Sequence, residues 1–253
     1  LSRINYEVSE KFAEFGDFLL NIKQEFAANN NSIHKARNEL KIIRHNDIDL
    51  VVKSFKVPNM LNKVIYSYIR DSKAKRSFVN AVKICSFGLK TPEPVGYIEF
   101  YKNGLIEESY FVSLMYENDF VMRKPLDDKE LEGRNELLKS FAEFTFNLHE
   151  KNVYHLDYSA GNILVKKTDV SYDFAITDIN RMNFRPLTQE EKLKSFQKLW
   201  IDEETLDLLM RHYASLAGWN PDESVKKSTE YLLSFKKVVR ARNKLRKIRK
   251  KLK

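Results

Sequence analysis

His155, Asp157 and Asn162 stand at His-x-Asp-x4-Asn spacing in the run His155-Leu156-Asp157-Tyr158-Ser159-Ala160-Gly161-Asn162-Ile163-Leu164-Val165. Asp178-Ile179-Asn180 begins sixteen residues after Asn162. A carboxylate at Asp157 can take the proton from an attacking hydroxyl. Asn162 and Asp178 offer hard oxygen donors of the kind that hold Mg²⁺ on a nucleotide. Read together, these residue types point to phosphoryl transfer. The competing reading is a polar turn whose Asp and Asn do no more than satisfy backbone groups. The apolar residues after Asn162, and a second apolar run ending at Asp178, argue against it.

Such chemistry needs a tight loop and two adjacent strand ends. Residues 163–165 read as a strand, 166–173 as a hairpin turn and 174–177 as the return strand, which delivers Asp178 beside Asn162. A helix over 135–150 leads into the loop, with Leu137, Leu138, Phe141, Phe144 and Leu148 on one face. Further helices are expected over 189–200, 203–217 and from 222 onward. Trp200 and Trp219 read as core anchors.

Upstream, residues 9–28 read as one helix, capped by Ser9, with Phe12, Phe15, Leu19, Ile22 and Phe26 at spacings of three and four. The pattern then changes to strands over 39–44 and 49–55, turning at His45-Asn46-Asp47. Lys53 lies inside the second of these, among β-branched residues, where a lysine is costly unless an anion meets it. An edge-strand lysine facing solvent is the alternative. Helices are expected over 59–69 and 73–87, the second capped by Ser72 and ended by Gly88. Cys85, at helical spacing from Phe78 and Val82, reads as core. Strands over 95–101 and 110–116 form a hairpin through a loop containing Asn103-Gly104. Glu117-Asn118-Asp119 reads as a linker whose backbone would meet an adenine edge, making Glu117 a candidate cofactor contact.

Length and composition fit this organisation. The 253 residues suit one large domain or two small lobes. A hydrophobic content of 43%, with 7 Gly and 6 Pro, argues for a packed core rather than a disordered chain. No apolar run approaches a membrane span, and no secretory h-region is expected. The single cysteine excludes an intramolecular disulfide and fits a reducing cytoplasm. Net charge is +9, yet residues 236–253 alone carry eleven Lys/Arg and no acid; subtracting them leaves −2. The basicity belongs to the tail. Within it Val238, Ala241, Leu245, Ile248 and Leu252 form a narrow apolar seam. A basic helix of this kind suits an anionic membrane surface or lipid phosphates. A helix docked on the protein with a solvated charged face is the alternative. Nucleic-acid binding ranks below both, because no recognition motif accompanies the charge.

The order of these features resembles the protein-kinase-like superfamily over roughly residues 32–217. Within it the chain is similar to the Kdo/WaaP lipopolysaccharide kinase family of Gram-negative bacteria. The stretches that carry this likeness are Val51-Val52-Lys53-Ser54-Phe55, Ser72-Lys73-Ala74-Lys75-Arg76-Ser77, Gly88 with Thr91-Pro92-Glu93-Pro94, and Asp178-Ile179-Asn180-Arg181-Met182. The resemblance implies an α+β, two-lobed protein-kinase-like fold. A β-rich N-lobe would span 32–117 and a mainly helical C-lobe 118–221, with a helical extension over 1–31 and a basic helix over 222–253. It also implies ATP and Mg²⁺ as cofactors. The acceptor would be a lipopolysaccharide core sugar, Kdo or heptose, or a lipid A precursor, at the inner face of the bacterial inner membrane. Carried over by position, Asp157 would be the base, Asn162 and Asp178 the metal ligands and Lys53 the phosphate contact, with His155 bracing the loop.

Two departures stand out. No glycine occurs between Gly16 and Gly88, so the first hairpin cannot cradle phosphates by close backbone approach; Arg37 and Asn38 are the side-chain substitutes. The helix expected over 73–87 carries no Glu to pair with Lys53. Ser77, Val79 and Asn80 occupy the candidate positions, and Asp71 lies just before the helix. A pseudokinase scaffold, or a kinase of another small hydroxylated acceptor, is therefore the alternative function.

Overall fold

A computed structural model describes residues 2–35, 38–57 and 59–251. Arg37 and Leu252, both singled out above, lie outside the described residues. Contacts divide the chain into two compact units: Leu1–Glu117 with Asp178–Arg181, and Asn118–Thr177 with Met182–Lys253.

The first unit is built on a six-stranded sheet of β1 (Ser2–Val8), β2 (Ser32–Lys35), β3 (Glu39–His45), β4 (Ile48–Phe55), β5 (Pro94–Lys102) and β6 (Leu105–Leu114), in the order β1-β5-β6-β4-β3-β2. Every neighbouring pair is antiparallel. Two hairpins close through two-residue turns with positive φ at both positions, Asn46 and Asp47 at 48° and 60°, and Asn103 and Gly104 at 51° and 78°. That geometry matches the right-handed twist of the strands it joins. The second turn starts β6 at Leu105, five residues earlier than the sequence pattern places it.

The single helix expected over 9–28 is three pieces: a 3-10 stretch Glu10–Phe15, broken by extended φ at Phe12, then α1 (Gly16–Leu20) and α2 (Ile22–Ala28). Its apolar residues are nonetheless the right ones. Phe12, Phe15, Leu19, Ile22 and Phe26 all pack on the sheet face made by Ile43, Leu50, Val52, Ile98 and Val112. With β1 paired along β5, the first 28 residues are part of this unit and not a helical extension of it. Gly96 permits the approach: a Cβ there would sit 2.6 Å from the Glu7 carbonyl oxygen and 2.7 Å from the Leu19 side chain.

Strand alternation decides where Lys53 goes. Leu50 and Val52 face that core, so Val51 and Lys53 face the other side of the sheet. There α3 (Met60–Val64), a π-helical turn Ile65–Ile69 and α4 (Lys73–Ser86) follow. The Ser72 hydroxyl caps α4 by accepting from the Lys75 N–H at 3.1 Å. Gly88, at φ 67°, ends the segment. The buried stripe of α4 is Ala74, Ser77, Phe78, Ala81 and Ile84, with Phe78 against Tyr97. That stripe leaves Val82 and Cys85 outside, so Cys85 is exposed rather than core.

The second unit contains β7 (Phe120–Val121), α5 (Arg123–Asp127), α6 (Arg134–Glu150), β8 (Val153–His155), β9 (Ile163–Lys167), β10 (Tyr172–Ile176), β11 (Met182–Phe184), α7 (Gln189–Ser195), α8 (Glu203–Leu216) and α9 (Pro221–Lys251). Its strands form two small sheets, β10-β9-β7 and β11-β8. On α6, Leu137, Leu138, Phe141 and Leu148 are buried, and Phe144 is half-buried against Phe174. Trp200 is 38% exposed and lies edge-on to Phe235, so it brackets α9 at the surface instead of anchoring a core. Trp219 is half-buried beside Tyr213. The first half of α9 docks through Ser224, Ser228 and Leu232, whereas every residue from 240 to 249 is exposed. Among the described residues, no helix is long and apolar enough to cross a membrane.

His149, near the end of α6, is fully enclosed, with its Nδ1 2.8 Å from the Tyr213 hydroxyl. Burial, with a smaller contribution from Lys192, pulls its pKa down from 6.5 to about 3. The folded state therefore holds the neutral ring, while the unfolded chain takes up a proton once the pH falls below the ordinary value. Stability is fully present above about pH 6.5 and declines toward pH 3, by up to about 1.4 kcal/mol per pH unit. Denaturant titrations across this range on the wild type and on His149→Gln check this. The variant should show a shallower acid loss; equal slopes would place His149 outside the linkage.

Candidate active site

Lys53 extends from β4 and meets Asp178: Nζ lies 2.6 Å from Oδ1, with the side chains 14% and 29% exposed. Asp178 has φ 53°, the left-handed region that only Asn, Asp and Gly visit readily. Neighbours hold it there. The Asn180 side-chain amide donates to the same Oδ1 at 2.7 Å, and the Asn80 amide on α4 donates to the Ile179 carbonyl at 2.6 Å. Ile179 and Asn180 are both buried. Lys53 thus finds its carboxylate on the Asp-x-Asn segment, and α4 contributes an amide clamp where an acid was looked for. The sequence signal for Asn80 is a polar side chain on the inward half of a helix.

In the second unit, His155 ends β8 and is buried. Its Nε2 lies 2.9 Å from the Thr177 carbonyl and its Nδ1 accepts the Asp157 N–H at 3.0 Å. A carbonyl can only accept, so Nε2 carries the proton and one neutral tautomer meets both needs. The Asn162 amide donates to the Asp157 carbonyl at 2.9 Å, which turns its Oδ1 the other way. The Asn162 backbone carbonyl accepts from Thr177 N–H at 2.8 Å, one residue past β10. Asp178 is the next residue in the chain. The loop is also held from below. Tyr158 is wholly buried, stacked on Phe141 of α6, with its hydroxyl 2.8 Å from that of Thr145. The Lys198 ammonium donates to the Leu156 carbonyl. Asp157 itself is half-buried. The sequence pattern gives no role to Tyr158 or Lys198; a tyrosine inside the motif is the one legible trace.

The remaining candidates fare differently. Asn38 accepts the Lys56 N–H at 3.4 Å, so it is engaged with the end of β4. Glu117 is exposed at the end of the first unit's main segment. Arg37 lies outside the described residues. Among the described residues, no group of three or more His, Cys, Asp or Glu forms a metal cage. Asp178 in the first unit and Asn162 in the second each carry a hard oxygen donor of the kind Mg²⁺ takes. That ion binds through one or two protein oxygens and completes its shell with phosphates and water.

Six antiparallel strands with a lysine on an inner strand, followed by a helical unit carrying the His-x-Asp-x4-Asn loop, define a protein-kinase-like two-lobed α+β fold. Among solved structures, WaaP in complex with acyl carrier protein is similar, with a TM-score of 0.62 and 12% identity, covering 94% of this chain and 98% of that one. The likeness is one of fold. No family model matches the sequence, and no curated protein matches it.

Asn80→Leu tests the clamp. It leaves the buried Ile179 carbonyl without its donor, at a cost of about 1–3 kcal/mol. Urea unfolding should show a loss in that range. An unchanged midpoint would show that the amide positions nothing.

Proposed function

We propose that this chain is an ATP-dependent phosphotransferase that places phosphate on a sugar hydroxyl of lipopolysaccharide core, Kdo or heptose. The Lys53–Asp178 pair at 2.6 Å on a protein-kinase-like fold carries the reading. The Kdo/WaaP resemblance and the fold likeness to WaaP support the acceptor class. The acceptor oxygen bonds to the γ-phosphorus, the bond from that phosphorus to the β–γ bridging oxygen breaks, and ADP leaves. Asp157 receives the hydroxyl proton, Lys53 holds phosphate oxygens, and His155 keeps Asp157 presented. Asn162 and Asp178 would hold Mg²⁺, which supplies neutralisation of phosphate charge. Arg37, Asn38 and Glu117 remain candidate nucleotide contacts. Because that WaaP structure contains acyl carrier protein, such a protein is a further candidate partner.

A second reading, a pseudokinase scaffold, is favoured by Asn80 in place of a helix acid and by the glycine-free stretch from Gly16 to Gly88. The Asp178 carboxylate on Lys53 weighs against it, since the lysine already has an anion partner to exchange for phosphate. Asp157→Ala should lower transfer about 10²–10⁴-fold while ATP still binds. Asp178→Ala should weaken Mg-ATP binding itself. Thermal shift with ATP and Mg²⁺, and mass measurement of truncated core lipopolysaccharide after incubation, give the two readouts. Wild-type turnover in both variants on an authentic acceptor sinks the assignment. A wild type that ignores ATP favours the scaffold.

The exposed end of α9 suits the anionic inner face of a bacterial membrane. Val238, Leu245 and Ile248 are exposed there among the basic residues. Neutralising Lys244, Arg246, Lys247 and Arg249 to Gln should cut flotation with anionic vesicles at least tenfold, each nearby charge contributing about 1 kcal/mol. Undiminished flotation would remove α9 as the anchor.

A further inference from the structure

The segment α3 with its π-helical turn is amphipathic the wrong way round. Asn62 and Tyr66 line a cavity, Lys63 pairs with Glu107 of β6 at 2.6 Å, and the Ser67 hydroxyl accepts the Ile106 N–H at 2.9 Å. The polar side thus faces the protein. Outward stand Met60, Leu61, Val64, Tyr68 and Ile69, from 42% to 77% exposed, with Val57 beside them. A surface helix in water shows the reverse arrangement, and a contiguous exposed apolar patch marks an interaction surface.

The cavity behind this face measures about 310 Å³, in the range of small-molecule sites. Among the described residues its lining includes Lys56 and Lys73, the amides of Asn59 and Asn62, and Ser72, with no carboxylate. Arg76 lies outside this lining but adjoins two of its residues, Ser72 and Tyr66. Its Nε donates to the Ser72 carbonyl, its guanidinium lies 5.9 Å from the Tyr66 ring centre, and its Nη1 is buried without a hydrogen-bond partner. An orphaned buried guanidinium nitrogen calls for an anion or water. Burial, and then the charge of Arg70, push the Arg76 pKa down, against smaller opposing contributions from Tyr66 and Asp71. Phe55, whose ring lies 5.4 Å from Lys53 Nζ, forms another wall.

We propose that this cavity and the apolar face around it form a binding site for a phosphate-bearing lipid at a bilayer surface. The phosphate enters among Lys56, Lys73 and the Asn59 and Asn62 amides, while Leu61, Tyr68 and Ile69 enter the acyl boundary. The site is separate from α9 and does not depend on the phosphotransferase reading. An anion alone would leave the outward apolar residues unexplained, and an apolar partner alone would leave the cationic, acid-free cavity unexplained. A lipid phosphate explains both.

The test is hydrogen exchange on the full chain with phosphatidylcholine vesicles, with the same vesicles containing phosphatidic acid, and with inorganic phosphate. The expected result is slowed exchange over residues 59–73 with phosphatidic acid only. Lys56→Gln, Lys73→Gln and the double variant Leu61→Asp/Ile69→Asp should each need at least tenfold more lipid for the same protection. Lys56, Leu61 and Ile69 are exposed, so these variants fold, and exchange without lipid verifies it. Protection confined to α9, variants that match the wild type, or full protection by inorganic phosphate would each overturn the proposal.

Discussion

A lysine ammonium held against an aspartate carboxylate in a largely buried setting is the interaction on which the arrangement of residues 178–181 against the first unit's sheet depends. Lys53 sits in register with Leu40 of β3 and Phe111 of β6, and its side chain is only 14% exposed. An unpaired charge there would be expensive. Asp178 removes that cost but must itself adopt left-handed backbone, a strain of order 1–3 kcal/mol for a residue with a Cβ. The strain is offset locally: Asn180 shares the same carboxylate oxygen, and Asn80 fixes the next peptide. This is why residues 178–181 belong by contacts to the sheet unit although the chain on either side belongs to the helical unit. The pair also explains how a fold can dispense with a helix-borne glutamate. The acid-free α4 offers Lys53 no carboxylate; the one it meets comes from Asp178, 125 positions away.

The loop in the second unit obeys a stricter rule. A flat ring with one donor and one acceptor on opposite edges is needed to join the Thr177 carbonyl to the Asp157 N–H. Neutral histidine is the side chain that does this rigidly; a protonated ring would set N–H against N–H. Thr177 is bonded in turn to Asn162. The three motif residues are therefore linked through backbone atoms, and their spacing in sequence is the spacing that closes this ring of hydrogen bonds. Beneath it, Tyr158 and Phe141 fix the height of the loop on α6. Deleting a buried ring of this kind costs about 3–5 kcal/mol, so loop geometry and stability of the helical unit are coupled.

Much of this was legible because it rests on local rules. Alternation located Lys53 on β4, glycine and asparagine marked the turns, and the period of α6 gave its buried face. What was missed shares a different physics. The strand β1 has no core face of its own, being exposed along most of its length, so its only signature is pairing with β5, which is non-local. Cys85 was misplaced because spacing from two residues, one of them itself exposed, cannot define a stripe. The break at Phe12 and the surface position of Trp200 are decided by packing around them. At the site, residue types were readable, but the partners of Lys53 and Asn80 lie 125 and 99 positions away. No pattern within a window reaches that far.

The two surfaces proposed to meet lipid, the end of α9 and the α3 face, differ in the range over which they would act. The end of α9 is mostly charge, which attracts an anionic surface across about a Debye length, 8–10 Å, and weakens with salt. The α3 face is mostly hydrocarbon, which contributes only on contact but is indifferent to salt, at roughly 25 cal/mol per Å² buried. A chain with only the first would bind any polyanion; a chain with only the second would self-associate in water. On the lipid-phosphate proposal, the cationic cavity behind α3 would add selectivity that neither surface has, because it would take a phosphate group rather than a charged plane. An acceptor embedded in a membrane imposes this need on any enzyme that must reach it from the aqueous side.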